Sequence, residues 1–423
     1  MVYGLESARP GPRDAQGALP SEPMHMPSTN PRAAWLHAAR QPLRVGQAPR
    51  TAPGRGEILV RNRAVAINPF DGIVQSLGSL VTPWLRYPAV LGSDIAGEVL
   101  AVGPDVRRFA PGDRVLGLAL GVEKAANRPL EGAFQECVIL REACAARMPS
   151  GLAFEQAAVL PLAFATAACG LFLSEHLGLR RPSPESPREA SGEAVLVWGA
   201  ATSVGSCAIQ LAAAAGYRVI ATCSARNFEH ARRLGAAACV DYHDPAAVTE
   251  IVEAIGASTL AGVLCVAVGA GEACIDVAGR CAGARRVAMA SVPVSLVDAP
   301  LGGQLRWKLA RLPRLALGFA RLALRARLRR VRSSSIWGSS VIHDPWGGRL
   351  FEDFLEPALA SGRFQAAPRP LVAGTGLDAI PEAMRRLAQG VSARKVVVSL
   401  PVPMTASDSP RATAPEYTGN AAR

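Results

Sequence analysis

We predict an α/β protein in which a β-rich region precedes a doubly wound parallel sheet, and three observations support this prediction. Residues 194–198 form an almost unbroken apolar run of strand length, which is typical of a parallel strand buried on both faces. A Gly-rich turn leads from this run into residues 206–216, an Ala/Leu-rich segment of strong helix formers. A second strand-like run, residues 218–222, follows directly. The order strand, turn, helix, strand is that of a βαβ unit.

The turn in this unit is of the kind that binds a dinucleotide. Gly199 lets the backbone leave the strand in a tight turn, and Gly205 allows the helix to pack closely on the strand. The amides at the start of the helix, with the positive end of its dipole, would face a pyrophosphate. Ala201 replaces the middle glycine of the G-x-G-x-x-G pattern, so a βαβ turn without a ligand remains the alternative. The predicted cofactor contacts of the turn are Gly199, Ala201, Thr202, Ser203, Val204 and Gly205.

The end of the second strand indicates which dinucleotide binds. A site for NAD places Asp or Glu here to hold the ribose 2′-hydroxyl, whereas residues 223–227 contain no acid. Ser224 can donate to a 2′-phosphate and Arg226 can pair with it, unless Arg226 is an ordinary solvated arginine. Asn227 is counted with them, although it could instead cap a helix predicted at residues 228–234. We therefore predict NADPH as the cofactor.

Composition limits the class of protein. A chain of 423 residues suggests two or three domains. Nine cysteines without a C-x-x-C pair lie mostly in apolar segments, which predicts buried, reduced thiols in a cytoplasmic protein. No segment carries about 18 or more uninterrupted apolar residues, so we expect no transmembrane segment.

The net charge of +12 comes from one segment rather than from the general surface. Residues 301–342 contain ten lysines and arginines and no acidic residue, and the rest of the chain is nearly balanced. A basic net charge can suggest a nucleic-acid partner, but here the excess belongs to one segment and not to the general surface. We therefore predict no nucleic-acid partner.

The N-terminal region reads as a short extension followed by strands. Residues 1–30 are rich in Pro, Gly, Ser and Ala and are predicted to be disordered, with neither a signal peptide nor a transit peptide. Residues 33–37 and 57–67 look like strands. Pro and Gly punctuate the chain that follows, as the short strands of a barrel-like domain require.

Several motifs occur in a defined order along the chain. They are 66-AINPFD-71, 91-LGSDIAGEV-99, 111-PGDRV-115, 131-EGAFQE-136, 160-LPLAFATA-167 and the nucleotide stretch. Together they resemble the medium-chain dehydrogenase/reductase superfamily over roughly residues 31–400. More narrowly, the set is similar to the trans-acting enoyl reductases of fungal polyketide pathways.

The resemblance implies a GroES-like β-barrel domain joined to a Rossmann domain with a doubly wound parallel sheet. We expect a GroES-like catalytic domain at residues 31–165 and an NADP-binding domain at residues 166–344. Residues 345–400 would return to the first domain, and residues 401–423 would be a disordered tail. Strand-like runs at 237–241, 262–268 and 286–291 agree with this division.

The chain differs from the zinc-dependent members of this superfamily. Asn68-Pro69-Phe70-Asp71 and Gly92-Ser93-Asp94 stand where those enzymes have zinc ligands, and neither stretch contains Cys or His. Residues 117–131, where a structural zinc lobe would lie, contain no cysteine. A zinc site needs three or four spaced ligands, so we predict no metal. Hydride transfer to a conjugated alkene or quinone is then the expected reaction.

The resemblance also implies the remaining site residues. Asn68, Pro69 and Asp71 would border the nicotinamide, although Asn-Pro also suits a plain turn. Tyr242 would lie beside the adenosine ribose, or would simply be a strand-end tyrosine. Val268, Gly269, Val396 and Val397 would close over the cofactor. The substrate cleft would be lined by Leu162, Ala163, Phe164, Ala165, Thr166 and Ala167, unless these residues are helix core.

The resemblance leaves the proton donor unassigned. Residues 75–79 contain no tyrosine, where some related enoyl reductases have an acid. Water is then the default donor, and no catalytic residue is named.

The basic segment is predicted to form an amphipathic helix. Arg314, Arg321, Arg325, Arg329 and Arg332 would share one face, Leu317, Leu324, Leu328 and Val331 a neighbouring apolar face, and Pro313 would sit near the start. Residues 306–332 could dock an acidic carrier protein or synthase, lie on an anionic membrane, or cover the core with solvated arginines.

Three hypotheses for function remain. The first is an NADPH-dependent enoyl reductase acting on acyl or polyketide thioesters, and a long apolar cleft would favour it. The second is a quinone or small-enone reductase. The third is a membrane-surface or partner-binding protein with a vestigial nucleotide site, against which the glycines at 199 and 205 argue.

Overall fold

Antiparallel strands make up the N-terminal part of the computed structural model, which describes residues 30–183 and 190–401. The extension predicted at 1–30 and the tail predicted at 401–423 lie outside the described residues. The exceptions are residues 30 and 401. The strands are β1 (Arg32–Leu36), β2 (Arg44–Gln47), β3 (Glu57–Ala66), β4 (Ala89–Val90), β5 (Asp94–Val102), β6 (Arg114–Leu118), β7 (Cys137–Arg141) and β8 (Ala145–Arg147), and the helices are α1 (Pro69–Leu77), α2 (Phe154–Ala157) and α3 (Pro161–Phe172).

A parallel sheet with flanking helices forms the second part of the fold. Its strands are ordered β11-β10-β9-β12-β13-β14, and all of its paired strands are parallel. This is the order of a dinucleotide-binding doubly wound sheet, with the switch point between β9 and β12. The elements are β9 (Glu193–Trp198), α4 (Ser203–Ala214), β10 (Arg218–Thr222), α5 (Phe228–Arg233), β11 (Ala236–Val240), α6 (Ala247–Ile255), β12 (Thr259–Cys265), α7 (Gly271–Arg280), β13 (Arg286–Met289), α8 (Gln304–Arg329) and β14 (Arg332–Ser335).

The C-terminal segment returns to the N-terminal sheet. Its final strand pairs antiparallel with β3, where Val397 lies opposite Ala66. The fold class predicted from the sequence is thus confirmed. The elements of the return are a π-helical turn at Phe351–Leu355, α9 (Glu356–Ala360), β15 (Arg369–Thr375), α10 (Ile380–Ala388) and β16 (Arg394–Ser399).

Helix α3 connects the two bodies. We propose a domain boundary after residue 165, and this position lies inside α3. The helix contacts strands of both sheets, so the boundary falls within a shared element. Residues 154–172 are long and apolar enough to cross a bilayer, but most of the segment is buried inside the protein, as a core helix would be.

An aromatic cluster joins α3 to the C-terminal return. The ring of Phe164 is fully buried and its centroid lies 5.6 Å from Phe351, 6.4 Å from Phe354 and 5.5 Å from Phe364. Ala165 and Ala167 are also fully buried. Because their side chains face this core, these three residues do not line the cleft.

The basic segment folds differently from its prediction in three respects. Helix α8 begins at Gln304, so Pro313 lies inside it rather than near its start. Arg332 belongs to strand β14 and not to the helix. Leu317, Leu324 and Leu328 are exposed, because the helix packs on the protein through Leu322 and Ala326 instead.

All nine cysteines are free thiols. Seven of them are buried, and burial raises the pKa of Cys144 to about 12 and of Cys137, which is half-buried, to about 11. The predicted reduced state of the cysteines agrees with these surroundings.

We expect Phe164→Ala to lower the free energy of unfolding by about 3–5 kcal/mol, because it leaves a cavity among three aromatic rings. The matched control is Phe319→Ala on α8, where the ring is 45% exposed and the expected loss is below about 1 kcal/mol. Urea denaturation of both variants measures the difference. Equal losses in the two variants would contradict the assignment of Phe164 to the core.

Candidate functional site

A cleft of about 990 Å³ lies between the two bodies. It opens at the carboxyl ends of β9, β10 and β12, where doubly wound sheets bind their ligands. The return segment closes one side through residues 390–395 and α3 forms part of the floor through Leu162, Ala163 and Thr166. Residues from all parts of the described fold therefore meet in this cleft.

The turn between β9 and α4 has the geometry that a pyrophosphate requires. Gly199 has φ +100°, a conformation that residues with a side chain rarely adopt. A Cβ on Gly205 would come 2.2 Å from the carbonyl oxygen of Gly199, so only glycine permits this packing. Thr202 caps the helix, since its Oγ1 accepts from the Gly205 amide at 3.0 Å. The amides of Ser203 and Val204 are left without helical partners, and both residues line the cleft.

Ser224 and Arg226 follow β10 directly and line the cleft. Arg226 is exposed and forms no ion pair with the described residues. The acid nearest in the fold is Asp241, whose carboxylate accepts hydrogen bonds from the Ala225 amide and from His243. The bonds from His243 and Ala225 lower the pKa of Asp241.

Asn227 has a different role from the helix cap considered above. Its side chain makes no capping bond to α5. Instead its Nδ2 donates to Ser392 Oγ at 3.2 Å. Because Ser392 belongs to the C-terminal return, this bond holds the return segment against the end of β10.

A buried ion pair lies beside Asn68, where Lys395 lines the cleft. The Lys395 ammonium is 3.0 Å from Asp94 Oδ2 and also donates to Asn68 Oδ1. Asn68 Nδ2 donates to Asp94 Oδ2 at 2.8 Å. Asp94 Oδ1 accepts from the backbone amide of Leu162 at 2.6 Å. These contacts join β16, β5, α1 and α3 and hold the amide of Asn68 in one orientation.

Asp71 lies behind Asn68 and does not line the cleft. Its Oδ2 accepts a hydrogen bond from the backbone N–H of Asn68 at 2.8 Å, and this bond holds the first turn of α1. Burial raises the pKa of Asp71 to about 7, and the charge of Asp94 adds to this rise, whereas the hydrogen bond from Asn68 opposes it.

The wall beyond Asn68 is mostly apolar. Trp337 packs edge-on against Phe70, with centroids 5.2 Å apart, and against Trp84 at 5.7 Å. Its indole Nε1 donates to Glu123 Oε1 at 2.9 Å, and Ser339 donates to the same carboxylate. The wall is completed by Ile73, Val81, Leu118, Leu120, Val122, Leu296, Val297 and Ile336.

Most of the residues predicted from the sequence meet in this cleft. Those that line it are Asn68, Pro69, Leu162, Ala163, Thr166, Gly199, Ala201, Thr202, Ser203, Val204, Ser224, Arg226, Asn227, Tyr242 and Val268. Gly205 supports the turn from behind, and Gly269 lies in the loop after Val268. Val396 and Val397 are fully buried in β16, and the cleft is lined instead by Arg394 and Lys395 just before them.

Two groups of residues escaped the sequence analysis. No sequence motif assigns a role to Lys395, and Asp94 stands out only as part of a stretch without Cys or His. A charged residue directly before a buried Val-Val-Val run was the available signal for Lys395. Trp337 and Glu123 carried no local signal, because more than 200 residues separate them.

The residues present do not suit a zinc ion. Asn68, Ser93 and Asp94 offer one carboxylate and no thiolate or imidazole. The Lys395 ammonium already neutralises that carboxylate. Across residues 30–183 and 190–401, no three His, Cys, Asp or Glu side chains come together as a metal site would require.

The raised pKa of Asp71 predicts a pH-dependent stability. The carboxyl of the unfolded chain titrates near pH 3.9, below the folded value of about 7. As pH rises through this window the unfolded chain releases its proton first, so the free energy of unfolding should fall, by at most about 1.4 kcal/mol per unit of difference. Asp71→Asn should remove this fall.

Urea denaturation between about pH 4 and 7 measures the effect of Asp71. The matched control is Asp105→Asn, an exposed aspartate paired with Arg55 at the surface. The difference in free energy of unfolding between wild type and Asp71→Asn should change with pH across this range. The difference between wild type and Asp105→Asn should stay constant. A constant difference for both variants would contradict the raised pKa.

Comparisons with known proteins agree with this geometry. Residues 54–164 match the alcohol dehydrogenase GroES-like domain family, and residues 203–295 match the zinc-binding dehydrogenase family. The chain is 45% identical over 370 residues to dehydrogenase pigH of Monascus ruber, covering 87% of this chain and 99% of the relative. It is 32% identical over 377 residues to trans-enoyl reductase himH of Aspergillus japonicus, covering 87% and 97%.

A solved structure shares the fold. An alcohol dehydrogenase superfamily protein from Novosphingobium aromaticivorans superimposes with a TM-score of 0.64 at 24% identity, covering 88% of this chain and 99% of that chain. With the matched families and relatives, this likeness leaves one assignment. The chain belongs to the medium-chain dehydrogenase/reductase superfamily and is an oxidoreductase with a site for a nicotinamide dinucleotide.

Proposed function

We propose that this protein is an NADPH-dependent enoyl reductase that works without zinc. Its substrate would be an α,β-unsaturated acyl or polyketide thioester, free or bound to a carrier, which receives a hydride at its β-carbon. The observation that carries this proposal is the mostly apolar wall of the 990 Å³ cleft, which includes Phe70, Trp337 and Leu296. A relative named as a trans-enoyl reductase supports the same class of substrate.

The choice of NADPH rests on the end of β10. Ser224 and Arg226 offer a hydroxyl and an unpaired guanidinium, which together suit a 2′-phosphate. Asp241 accepts hydrogen bonds from Ala225 and His243 and does not line the cleft, so we expect it not to serve as the ribose acceptor. Tyr242, which is 44% exposed, would lie beside the adenosine ribose.

Bound NADPH supplies the hydride, and the protein's own residues orient and stabilise the substrate. The apolar wall would hold the acyl chain and exclude water from the reacting end. The side-chain amide of Asn68, which lines the cleft beside the Lys395 ammonium, would support the negative charge that develops on the thioester oxygen as an enolate forms. No side chain of the cleft is assigned as proton donor, and the α-carbon would take its proton from water.

A quinone or small enone is the competing substrate class. A flat quinone needs only the part of the cleft near Trp337 and Phe70, whereas an extended acyl chain would use the whole apolar wall. Burial of each added CH₂ contributes about 0.8 kcal/mol, so a long acyl chain gains affinity that a quinone cannot. The number of apolar residues in this wall therefore favours the thioester as the substrate class.

The cofactor proposal predicts the effect of Arg226→Asp. The variant loses a charge-assisted contact to the 2′-phosphate and adds repulsion, so its KM for NADPH should rise about tenfold to a hundredfold while that for NADH changes little. Steady-state kinetics with both cofactors measure this. Arg233→Asp, on α5 but outside the cleft, is the control and should leave both constants unchanged. Wild-type protein that uses both cofactors equally would refute the preference.

The substrate proposal predicts a chain-length dependence. The purified protein should oxidise NADPH with trans-2-enoyl thioesters, and kcat/KM should rise from a crotonyl-type to a longer acyl chain. A quinone assayed in parallel should be the poorer substrate, and a chelator should leave the rate unchanged. Turnover of the quinone alone would support the competing class instead. Loss of turnover on chelation, restored by zinc, would overturn the metal-free proposal.

A further inference from the structure

Helix α8 turns its apolar residues outward. It buries only Gln304, Leu322 and Ala326. Among the described residues, eleven large hydrophobic side chains are exposed, and seven of them belong to this one helix. Their exposure ranges from 42% to 74%, and they are Leu305, Leu309, Leu312, Leu317, Phe319, Leu324 and Leu328.

These seven residues, which we call the outer stripe, lie on one side of the helix. At about 100° per residue they fall within roughly half of the helix circumference, on the side away from Leu322. A helix of 26 residues is about 39 Å long, and the stripe extends over all but its first and last residues. A soluble protein rarely leaves an apolar surface of this extent uncovered.

The charge of α8 is divided between its two sides. On the inner side Arg325 pairs with Asp276 and Glu272, Arg329 pairs with Asp276, and Arg311 pairs with Asp298. The pair with Arg325 is the main cause of the lowered pKa of Asp276. These arginines therefore anchor the helix and are not the free face predicted from the sequence.

The arginines beside and between the residues of the outer stripe have no such partners. Arg306, Arg314, Arg321 and Arg327 are exposed and form no ion pair with the described residues. Residues 299–343 contain no acidic residue, so the outer side of α8 carries only positive charge. A ligand of this surface must therefore offer apolar groups together with negative charge.

We propose that α8 lies in the interface of an anionic lipid bilayer. The outer stripe would enter the boundary between headgroups and acyl chains, and these arginines would reach the lipid phosphates. A second copy of this chain would bring two sets of unpaired arginines together, which charge repulsion opposes. An acidic protein would match the arginines, but seven exposed apolar side chains spread over a helix of 26 residues match a lipid surface better.

The helix is held rigidly beside the mouth of the cleft. Gln304 Nε2 donates to the Ser76 carbonyl at 2.6 Å, which ties the start of α8 to α1. Gly318 packs on Pro293, where a Cβ would come within 2.5 Å of the proline ring. Val292 and Ser295, on either side of this loop position, line the cleft. A bilayer bound by α8 would thus lie near the opening through which an apolar substrate enters.

Sedimentation of the full chain with lipid vesicles tests the proposal. Binding should be strong to vesicles of phosphatidylcholine mixed with phosphatidylserine, weak to phosphatidylcholine alone, and reduced by salt, because charges are screened over about 10 Å at 0.1 M. Leu317→Glu with Leu324→Glu should lower the partition coefficient at least about tenfold. Arg314→Gln with Arg321→Gln should lower the partition coefficient for the anionic vesicles only, by about fivefold for each arginine.

Matched controls come from exposed residues outside α8. Val372→Glu on β15 and Arg386→Gln on α10 should leave vesicle binding unchanged, and solution turnover of NADPH should report that every variant is folded. The proposal is wrong if wild type binds neither kind of vesicle, or if the α8 variants and the controls respond alike. It is also wrong if an acidic carrier protein, and not the vesicles, binds in an Arg314- and Arg321-dependent way.

Discussion

The buried pair of Lys395 and Asp94 is the interaction on which the site depends. Asp94 is completely buried, and Lys395 is only 5% exposed, at the lining of the cleft. A buried ion pair contributes little net stability, but removing one partner leaves an uncompensated charge that costs about 3–5 kcal/mol. The pair is completed by Asn68 and by the Leu162 amide, so the first body, the connecting helix and the C-terminal return must all be in place together.

Further polar bonds join segments around the cleft that are distant in sequence. Glu123 accepts from Trp337 within the apolar wall, and Asn227 donates to Ser392 beside the end of β10. Each bond joins the parallel sheet or its loops to the antiparallel body. The shape of the cleft therefore depends on these few contacts and not on either body alone, which explains why the apolar wall draws residues from both.

Helix α8 forms as its local sequence pattern predicts, but that pattern does not predict which of its residues are exposed. The spacing of its arginines and leucines predicted an amphipathic helix, and the helix forms. The periodicity of the sequence alone does not predict which side of the helix packs against the rest of the protein. Asp276 and Glu272 on α7 attract Arg325 and Arg329 inward, so the leucines on the far side are left in solvent. Ion pairing with a neighbouring helix decided the orientation.

The sequence by itself determined the fold class, the βαβ turn and most of the residues that border the cleft. Each of these depends on local features, namely apolar runs, glycines that allow tight turns, and residues that follow a strand directly. Only the tertiary structure decided that Lys395 meets Asp94, that Phe164 faces the core, and that Asn227 binds Ser392 instead of capping a helix. These outcomes depend on contacts across tens to hundreds of residues, which a local pattern does not encode.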